Sequence, residues 1–454
     1  MKKTLAVLLA ATMAAGTLTA CSSSEPAPET SAAATTAAEA EKNAPAKGTE
    51  AVSGEKTEIE IWCWDPNFNV VSAERAGEIY TAEHPEVTVK VSEVTSSDIY
   101  TKMTAAIMGK QMDTLPDIML MHDDNINKYV SAYDGVFADL TDSGINFDEF
   151  ADFKVAVGTV DGRNYSVPFD NGAAVNALRT DIIGEAGYTI EDFTDITWDE
   201  YLEMGKDIFE KTGKSILNER ADKSQILPLM MISAGTWYFD AEGNITIADN
   251  ETMKECLKMY KQLIDANVIS RHNDSESYYG AYLSGEVAGG MNGGFILANI
   301  MKAEDQSGKW AITNIPRFSN VEGASNYGNN GGSSWLVFNN ENTDVAIDYL
   351  KNTFAGSVEL YNDILAEAAA VSTWSPAKDA ENYKMKVDFF GGQPIYEMIV
   401  NYAEQVPAIN YGIYTGEAQS SMVKAITDII GGVDIDTALQ NVQADVEFAA
   451  QQIQ

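Results

Sequence analysis

The chain has few residues of the kinds that build redox, metal or hydrolytic sites. Its 454 residues include three cysteines and three histidines, and no His-Glu-x-x-His or Gly-x-Ser-x-Gly sequence occurs. The common zinc-hydrolase and serine-hydrolase arrangements are therefore not indicated. Beyond Cys21 only Cys63 and Cys256 remain, so at most one disulfide is possible, and we expect both to be buried thiols. The sequence predicts no metal site, no cofactor and no catalytic residue.

Basic residues are also scarce. The chain has 30 Lys and Arg against 68 Asp and Glu, which gives a formal net charge of −38. Nucleic acids and anionic membrane surfaces would repel such a chain, so neither is expected as a partner. No cluster of Arg or Lys suggests a basic pocket, which also disfavours an acidic solute.

A long apolar run is missing too, although the chain opens with a short one, MKKTLAVLLAATMAAGTLTAC. Two lysines, a brief apolar segment and small residues predict a signal peptide over 1–20, because the run is too short to span a bilayer. Leu18-Thr19-Ala20-Cys21 resembles a bacterial lipobox, which predicts lipid attachment at Cys21. The alternative is an ordinary secreted protein with a cysteine near its cleavage site. The lipobox interpretation predicts an extracytoplasmic protein held on the bacterial cell membrane by its lipidated N-terminus alone.

Residues 21–56 are rich in Ser, Ala, Thr, Glu and Pro and contain no aromatic residue. Such a composition cannot form a core, and it predicts a disordered tether. The remaining residues, roughly 400, exceed what one hydrophobic core usually supports, so two lobes are expected.

Strand-like and helix-like patterns alternate after the tether. The apolar spacing predicts strands over 58–64, 87–94 and 115–121, with helices over 70–84 and 97–112 between them. This order is typical of a parallel sheet with right-handed crossovers. Ligands of such sheets bind beyond the carboxyl ends of the strands. Those ends are predicted at Trp64-Asp65 and His122-Asp123-Asp124.

Four stretches in this order resemble one known family: IEIWCW (59–64), LPDIMLMHDD (115–124), GEVAGGMNGGFILANI (285–300) and the closing helices within 405–447. The chain resembles the extracellular solute-binding proteins of carbohydrate ABC transporters, which include the maltodextrin-binding protein. The resemblance covers essentially the whole chain after the tether.

The resemblance implies an α/β, two-lobed periplasmic-binding-protein-like fold (type II), with two discontinuous lobes joined by a hinge. The first lobe would be 57–168 plus 334–375, and the second 169–333 plus 376–454. It also implies a monomeric, non-catalytic binding subunit of an ABC importer. Such a subunit captures a sugar or oligosaccharide between its lobes and delivers it to a membrane permease.

A neutral sugar needs aromatic faces for its C–H groups and carboxylates or amides for its hydroxyls. We expect Trp64 to be a stacking wall and Asp65 a hydroxyl acceptor, and related proteins place an aromatic residue where Phe295 follows Asn-Gly here. The predicted substrate contacts are Trp64, Asp65, Asp123, Asp170, Trp237, Asn292, Phe295, Trp335 and Tyr411.

Several of these predictions have a structural alternative. Alternation puts Trp62 and Trp64 on one side of their strand, where both could be core residues. Asp123 and Asp124 are alternatives as ligand acceptor or helix cap, with Asp123 slightly favoured. Asp170 could be a turn residue, and the remaining tryptophans core residues. Tyr414 competes with Tyr411.

Two other classes of function stay open from the residues. One is a binding protein for a peptide, an amino acid or a metal ion. The other is an extracytoplasmic glycoside-active enzyme, which would need a carboxylate pair at a defined separation. With 68 acidic residues in the chain, the sequence alone cannot test for such a pair.

Overall fold

The computed structural model describes residues 57–453, an α/β protein of twelve strands and fifteen α-helices in this range. The predicted signal peptide, Cys21 and the tether lie outside the described residues. The strands are β1 Thr57–Cys63, β2 Val87–Glu93, β3 Ile118–His122, β4 Thr159–Val160, β5 Arg163–Asn164, β6 Ser166–Pro168, β7 Ala174–Arg179, β8 Leu217–Arg220, β9 Ile269–His272, β10 Gly289–Gly293, β11 Trp310–Thr313 and β12 Ser333–Val337.

The helices include the two that alternate with the first three strands and a long pair that closes the chain. They are α1 Asn69–Glu83, α2 Ser96–Gly109, α3 Asp123–Ala132, α4 Asp152–Gly158, α5 Thr180–Glu185, α6 Trp198–Thr212, α7 Ile226–Ser233, α8 Glu251–Asp265, α9 Ser275–Ser284, α10 Ile296–Ile300, α11 Thr343–Asn352, α12 Val358–Ala368, α13 Ile395–Ala403, α14 Thr415–Ile430 and α15 Ile435–Ile453. None of these described helices is both long and apolar enough to cross a bilayer.

The large sheet has the strand order β2-β1-β3-β12-β6. β1 pairs in parallel with both β2 and β3, which confirms the predicted strand–helix–strand arrangement. β12 runs antiparallel to β3, with Ser333 opposite His122. The carboxyl end of β3 therefore lies beside the beginning of β12, and both positions face the edge where α/β sheets bind ligands.

The small sheet has the order β10-β7-β11, and both of its pairings are antiparallel. A separate parallel pair, β8 and β9, lies near it, and β8 contacts β10. The chain passes from the large sheet to the small one between β6 and β7 and returns between β11 and β12. The return ends at Gly331 and Gly332, whose φ angles of +82° and +107° disfavour any residue with a side chain. The predicted lobe boundaries remain a prediction.

The first strand places its side chains as alternation requires. Trp62 packs into one buried cluster of the large sheet, whereas Cys63 packs into the other. Cys63 and Cys256 are both buried, unbridged thiols, as predicted. Burial raises the pKa of both thiols, so neither is a reactive thiolate.

Candidate functional site

A cavity of about 560 Å³ opens at the carboxyl end of β3. Its sides come from regions far apart in the sequence: the end of β3 with the start of α3, the returning segment Asn329–Gly332, and a group of loops and helices around the small sheet. We call residues 122–125 the β3 wall. The aromatic wall is Trp237, Tyr278, Tyr279, Phe295 and Tyr411.

The β3 wall is polar because β3 ends and α3 begins without a loop between them. β3 ends at His122, and Asp123 and Asp124 are already in the first turn of α3. A helix N-terminus favours negative charge, so this turn suits carboxylates. The adjacent acids nevertheless have different surroundings.

Asp123 is committed to the protein interior. The fully buried Lys154 ammonium lies 2.5 Å from its Oδ2, and the Ser334 hydroxyl donates to its Oδ1 at 2.9 Å. Lys154 also donates to the Ser333 carbonyl at 3.0 Å, which ties β3, α4 and β12 together. Although Asp123 borders the cavity, both of its oxygens already have donors, so its geometry fits a structural ion pair better than a sugar acceptor.

Asp124 has more acceptor capacity. It is half-buried on the cavity surface, and among the described residues its side chain accepts one side-chain hydrogen bond, from Asn125 Nδ2 at 2.9 Å. Burial raises the pKa of its carboxyl group, an effect that His122 and Lys223 oppose electrostatically. The geometry thus reverses the order favoured from the sequence, and Asp124 replaces Asp123 as the acceptor candidate.

Trp64 and Asp65 do not line the cavity. The Trp64 ring stacks on the His122 ring, with centroids 4.4 Å apart, and it is His122 that borders the cavity. Asp65 Oδ1 accepts the Asn67 backbone N–H at 2.9 Å, a local turn that ends β1. Neither residue predicted as a direct contact at this strand end therefore borders the cavity, and the Trp64 ring lies behind that of His122.

The aromatic wall contains three of the predicted contacts. Trp237 is buried except at the cavity; its indole N–H donates to Thr415 Oγ1 at 3.0 Å, and its ring meets that of Tyr411 edge-on at 5.3 Å. Asn329 Nδ2 donates to the Tyr411 hydroxyl at 3.3 Å. Phe295 is 42% exposed, unusual for a phenylalanine, and it borders the same cavity.

Asn292 connects this wall to the returning segment. Its Nδ2 donates to the Tyr278 hydroxyl at 3.0 Å, and its Oδ1 accepts from Asn330 Nδ2 at 2.6 Å. Gly331 and Gly332, which follow Asn330, keep the backbone of the returning segment close to this network. Asn292 thus lines the cavity, its contact with a sugar stays a prediction, and Tyr278 and Asn330 are neighbours that the sequence did not identify.

Two predicted contacts lie away from the cavity. Asp170 Oδ1 accepts from the backbone N–H of Ser333 at 2.6 Å and from its hydroxyl at 2.5 Å, so it joins two crossing segments. Trp335 is fully buried between Phe169 and Phe354, at centroid distances of 5.3 and 5.0 Å. The stacking role predicted for Trp335 is inconsistent with this position, because inward-facing positions of β12 belong to the core.

The cavity also contains basic residues that the sequence analysis missed. Arg220 and Lys223 lie on its surface, Arg220 at the end of β8 and Lys223 in the loop between β8 and α7. The Arg220 guanidinium binds Asp222 through two contacts, at 2.9 and 2.5 Å. The expectation that no basic residues gather at the site was wrong. A signal existed in ERADK (219–223), where acidic and basic residues alternate across the end of a strand.

The described residues contain no group of three or more His, Cys, Asp or Glu side chains arranged to hold a metal ion. Of the nine predicted contacts, five border the cavity: Asp123, Trp237, Asn292, Phe295 and Tyr411. The lining combines aromatic side chains with carboxylate, imidazole and amide groups.

Comparisons with known proteins agree with this geometry. Residues 75–391 match the family model described as bacterial extracellular solute-binding protein. The chain is 37% identical to the lactose-binding protein of Rhizobium radiobacter over 398 residues, which cover 87% of this chain and 93% of that protein.

Solved structures share the fold. The galacto-N-biose/lacto-N-biose I-binding protein of Bifidobacterium longum superposes with a TM-score of 0.72 at 18% identity, covering 88% of this chain and 98% of that one. A transporter-associated binding protein of B. animalis subsp. lactis, solved with β-1,6-galactobiose, gives a TM-score of 0.67 at 21% identity over 87% and 98% of the two chains.

Proposed function

This chain belongs to the bacterial extracellular solute-binding protein family, and we propose that its cavity binds a neutral sugar or short oligosaccharide for an ABC importer. The observation that carries the proposal is that the β3 wall and the aromatic wall line the same cavity. The aromatic wall supplies aromatic rings, and the β3 wall supplies polar groups to the same cavity. A sugar has C–H faces and a hydroxyl rim, so it can use both at once.

The size of the cavity supports a small ligand. About 560 Å³ lies within the range of roughly 300–1,000 Å³ that is typical of small-molecule pockets. In this proposal Phe295 and Trp237 contact the sugar faces, while Asp124 and Asn292 bind its hydroxyls. A hydrogen bond to a charged group contributes roughly 1.5–3 kcal/mol, so few such contacts are needed.

Contacts from separate regions also support capture by closure. A ligand shifts a conformational equilibrium only by its difference in affinity for the two states. A sugar held by Asp124 on one side and Phe295 on the other would favour the arrangement that brings these residues together. We propose that this arrangement, with lobes 57–168 plus 334–375 and 169–333 plus 376–454, is the form that the permease recognises.

The cellular setting is part of the same proposal. The relative from Rhizobium radiobacter is named a lactose-binding protein, and the similar solved structures are of transporter binding proteins. Both support a role as the substrate-binding subunit rather than as an enzyme. The lipobox-like sequence supports anchoring at Cys21 on the outer face of the cell membrane, and we propose that the anchored protein is a monomer.

The test is a thermal-shift screen of the purified mature protein. The panel contains lactose, galactobioses, arabino-oligosaccharides and monosaccharides, with uronates, amino acids, short peptides and divalent metals as comparison arms. A ligand at a hundred times its Kd adds about 2.7 kcal/mol to the free energy of unfolding, and several degrees of Tm increase are expected for neutral sugars. A shift with uronates alone would favour an acidic sugar bound at Arg220 and Lys223. A shift with peptides or metals alone, or with nothing, would contradict the proposal.

A further inference from the structure

The last residue of β3, His122, is held by two aromatic side chains that do not line the cavity themselves. The Tyr100 hydroxyl lies 3.0 Å from the His122 backbone nitrogen and 3.1 Å from its Nδ1. The Trp64 ring covers one face of the imidazole at 4.4 Å with an interplanar angle of 28°. His122 itself borders the cavity, and among the described residues the recorded side-chain partner of its ring is at Nδ1, which leaves Nε2 available for a ligand.

The hydrogen bonds of Tyr100 fix which ring nitrogen of His122 carries the proton. The backbone N–H of His122 can only donate, so the Tyr100 oxygen is its acceptor. Burial raises the pKa of Tyr100, which keeps the hydroxyl protonated. Its hydrogen needs an acceptor, because buried hydroxyls are rarely left unpaired. Within residues 57–453, Nδ1 is the only acceptor in contact with it, so whenever the ring is neutral its hydrogen is on Nε2.

Tyr100, which orients the His122 ring, is itself held in place by a second tyrosine. The Tyr100 ring stacks on Tyr129 with centroids 5.2 Å apart and nearly parallel planes, at 2°. Tyr129 belongs to α3, the helix that starts directly after His122. The imidazole is therefore held by a stacked ring, a hydrogen-bonded hydroxyl and the helix behind that hydroxyl.

We propose that His122 contacts the ligand and donates a hydrogen bond from Nε2–H to a sugar oxygen, with Trp64 and Tyr100 as positioning residues. The inference rests on the proposed function. It complements Asp124, because a carboxylate can only accept from a hydroxyl, whereas Nε2–H supplies a donor two residues away. One sugar hydroxyl can satisfy both residues, by donating to Asp124 and accepting from His122.

Two isosteric substitutions separate the ring positions. In His122→Asn the amide nitrogen lies near the Nδ1 position, whereas in His122→Gln it reaches the Nε2 position. We expect calorimetry with the best sugar from the screen to give about tenfold weaker binding for His122→Asn and a loss within about threefold for His122→Gln. His84→Asn is the matched control, because His84 also stacks on an aromatic ring, that of Tyr80 at 4.2 Å, but lies outside the cavity.

The positioning roles have a separate readout. Long-range ¹H–¹⁵N spectra of the full chain should show the Nε2–H form for His122, identified among three histidines by its loss in His122→Gln. Tyr100→Phe should produce a mixture of tautomers and weaken sugar binding severalfold while the protein stays folded.

The outcomes distinguish this inference from the proposed function. If the wild type binds sugar, either of two results would overturn the inference and leave the proposed function standing. One is an unchanged affinity of His122→Asn; the other is an Nδ1–H form of His122 in the spectra. No sugar binding by the wild type would overturn both.

Discussion

The two walls of the cavity are built in different ways. The β3 wall is four consecutive residues, positioned by the direct junction of β3 with α3 and by partners behind it such as Lys154 and Tyr100. The aromatic wall is assembled from the end of α7, from α9, from the start of α10 and from the segment before α14. One wall is local in sequence and polar; the other is dispersed and apolar.

This difference separates two kinds of requirement. Hydrogen-bonding groups need precise orientation, which a short segment fixed by buried partners can provide. Ring faces tolerate small displacements, so they can come from separate elements that meet only in the folded protein. The comparison predicts that damage behind the β3 wall affects stability or orientation, whereas loss of the exposed Phe295 ring on the aromatic wall affects affinity alone.

The largest effect is expected from breaking the ion pair behind the β3 wall. Asp123→Asn leaves the fully buried Lys154 ammonium without its counter-charge, and we expect unfolding in urea to show a loss of about 3–5 kcal/mol. The double variant Asp123→Leu with Lys154→Met removes both charges and should recover much of this loss. A single variant within about 1 kcal/mol of wild type would show that the pair does not support the wall.

On the β3 surface itself, Asp124→Asn should weaken sugar binding by about 1.5–3 kcal/mol, because it removes a charged acceptor. The free energy of unfolding of the Asp124→Asn variant should not fall. Burial raises the pKa of this carboxyl group in the folded protein, so the ionised side chain opposes folding, and its contribution becomes more favourable as the pH falls through the folded pKa.

The same shift gives a pH test of that residue. Sugar hydroxyls donate to the ionised form, so the affinity of the wild type should decrease as acidification protonates Asp124. Calorimetry at several pH values should show this dependence for the wild type and a weaker one for Asp124→Asn. Identical pH profiles would remove Asp124 from the site.

For the local wall, the sequence predicted where the polar segment lies but not which of its residues is the acceptor candidate. The first parallel strands follow from alternation, and the polar group at 122–124 follows from where β3 must end. Choosing between Asp123 and Asp124 was beyond the sequence, because the decisive partner, Lys154, is 31 residues away and is itself fully buried.

For the aromatic wall, residue type was not enough. Trp237 and Trp335 are equally plausible stacking residues in the sequence, yet one borders the cavity and the other lies between Phe169 and Phe354. Packing between distant segments decides this, and no local pattern records it. Phe295 was identified because a family motif marks its position.

A smaller effect is expected on the aromatic wall. Phe295→Ala should weaken sugar binding by about 1 kcal/mol, roughly fivefold, through the loss of a ring face. Its stability should change little, because the side chain is 42% exposed. Phe448→Ala is the matched control, since Phe448 is 63% exposed on α15 and does not border the cavity. A stability loss comparable to that of Asp123→Asn would contradict the contrast between the walls.

The smallest effect is expected where the regions behind the two walls touch. Lys128 on α3 binds Glu417 on α14 at 2.8 Å, and each side chain is about one-third exposed. Such exposed pairs contribute less than about 1 kcal/mol, so Lys128→Gln should weaken sugar binding by at most about fivefold. The effect on affinity arises because the pair favours the arrangement in which both walls reach the ligand.

Salt and charge reversal make this small effect measurable. Lys128→Glu should weaken binding, and adding Glu417→Lys should restore it, while 1 M salt, with a Debye length of about 3 Å, should remove most of the difference. Lys424→Gln is the control, because Lys424 pairs with Asp428 within α14 at 2.9 Å and does not connect the two regions. Equal effects of Lys128→Gln and Lys424→Gln would mean that the contact between α3 and α14 does not contribute to ligand binding. Tighter binding by Lys128→Gln would instead show that the Lys128–Glu417 pair stabilises the ligand-free arrangement. The pair would then hold the two walls apart rather than together.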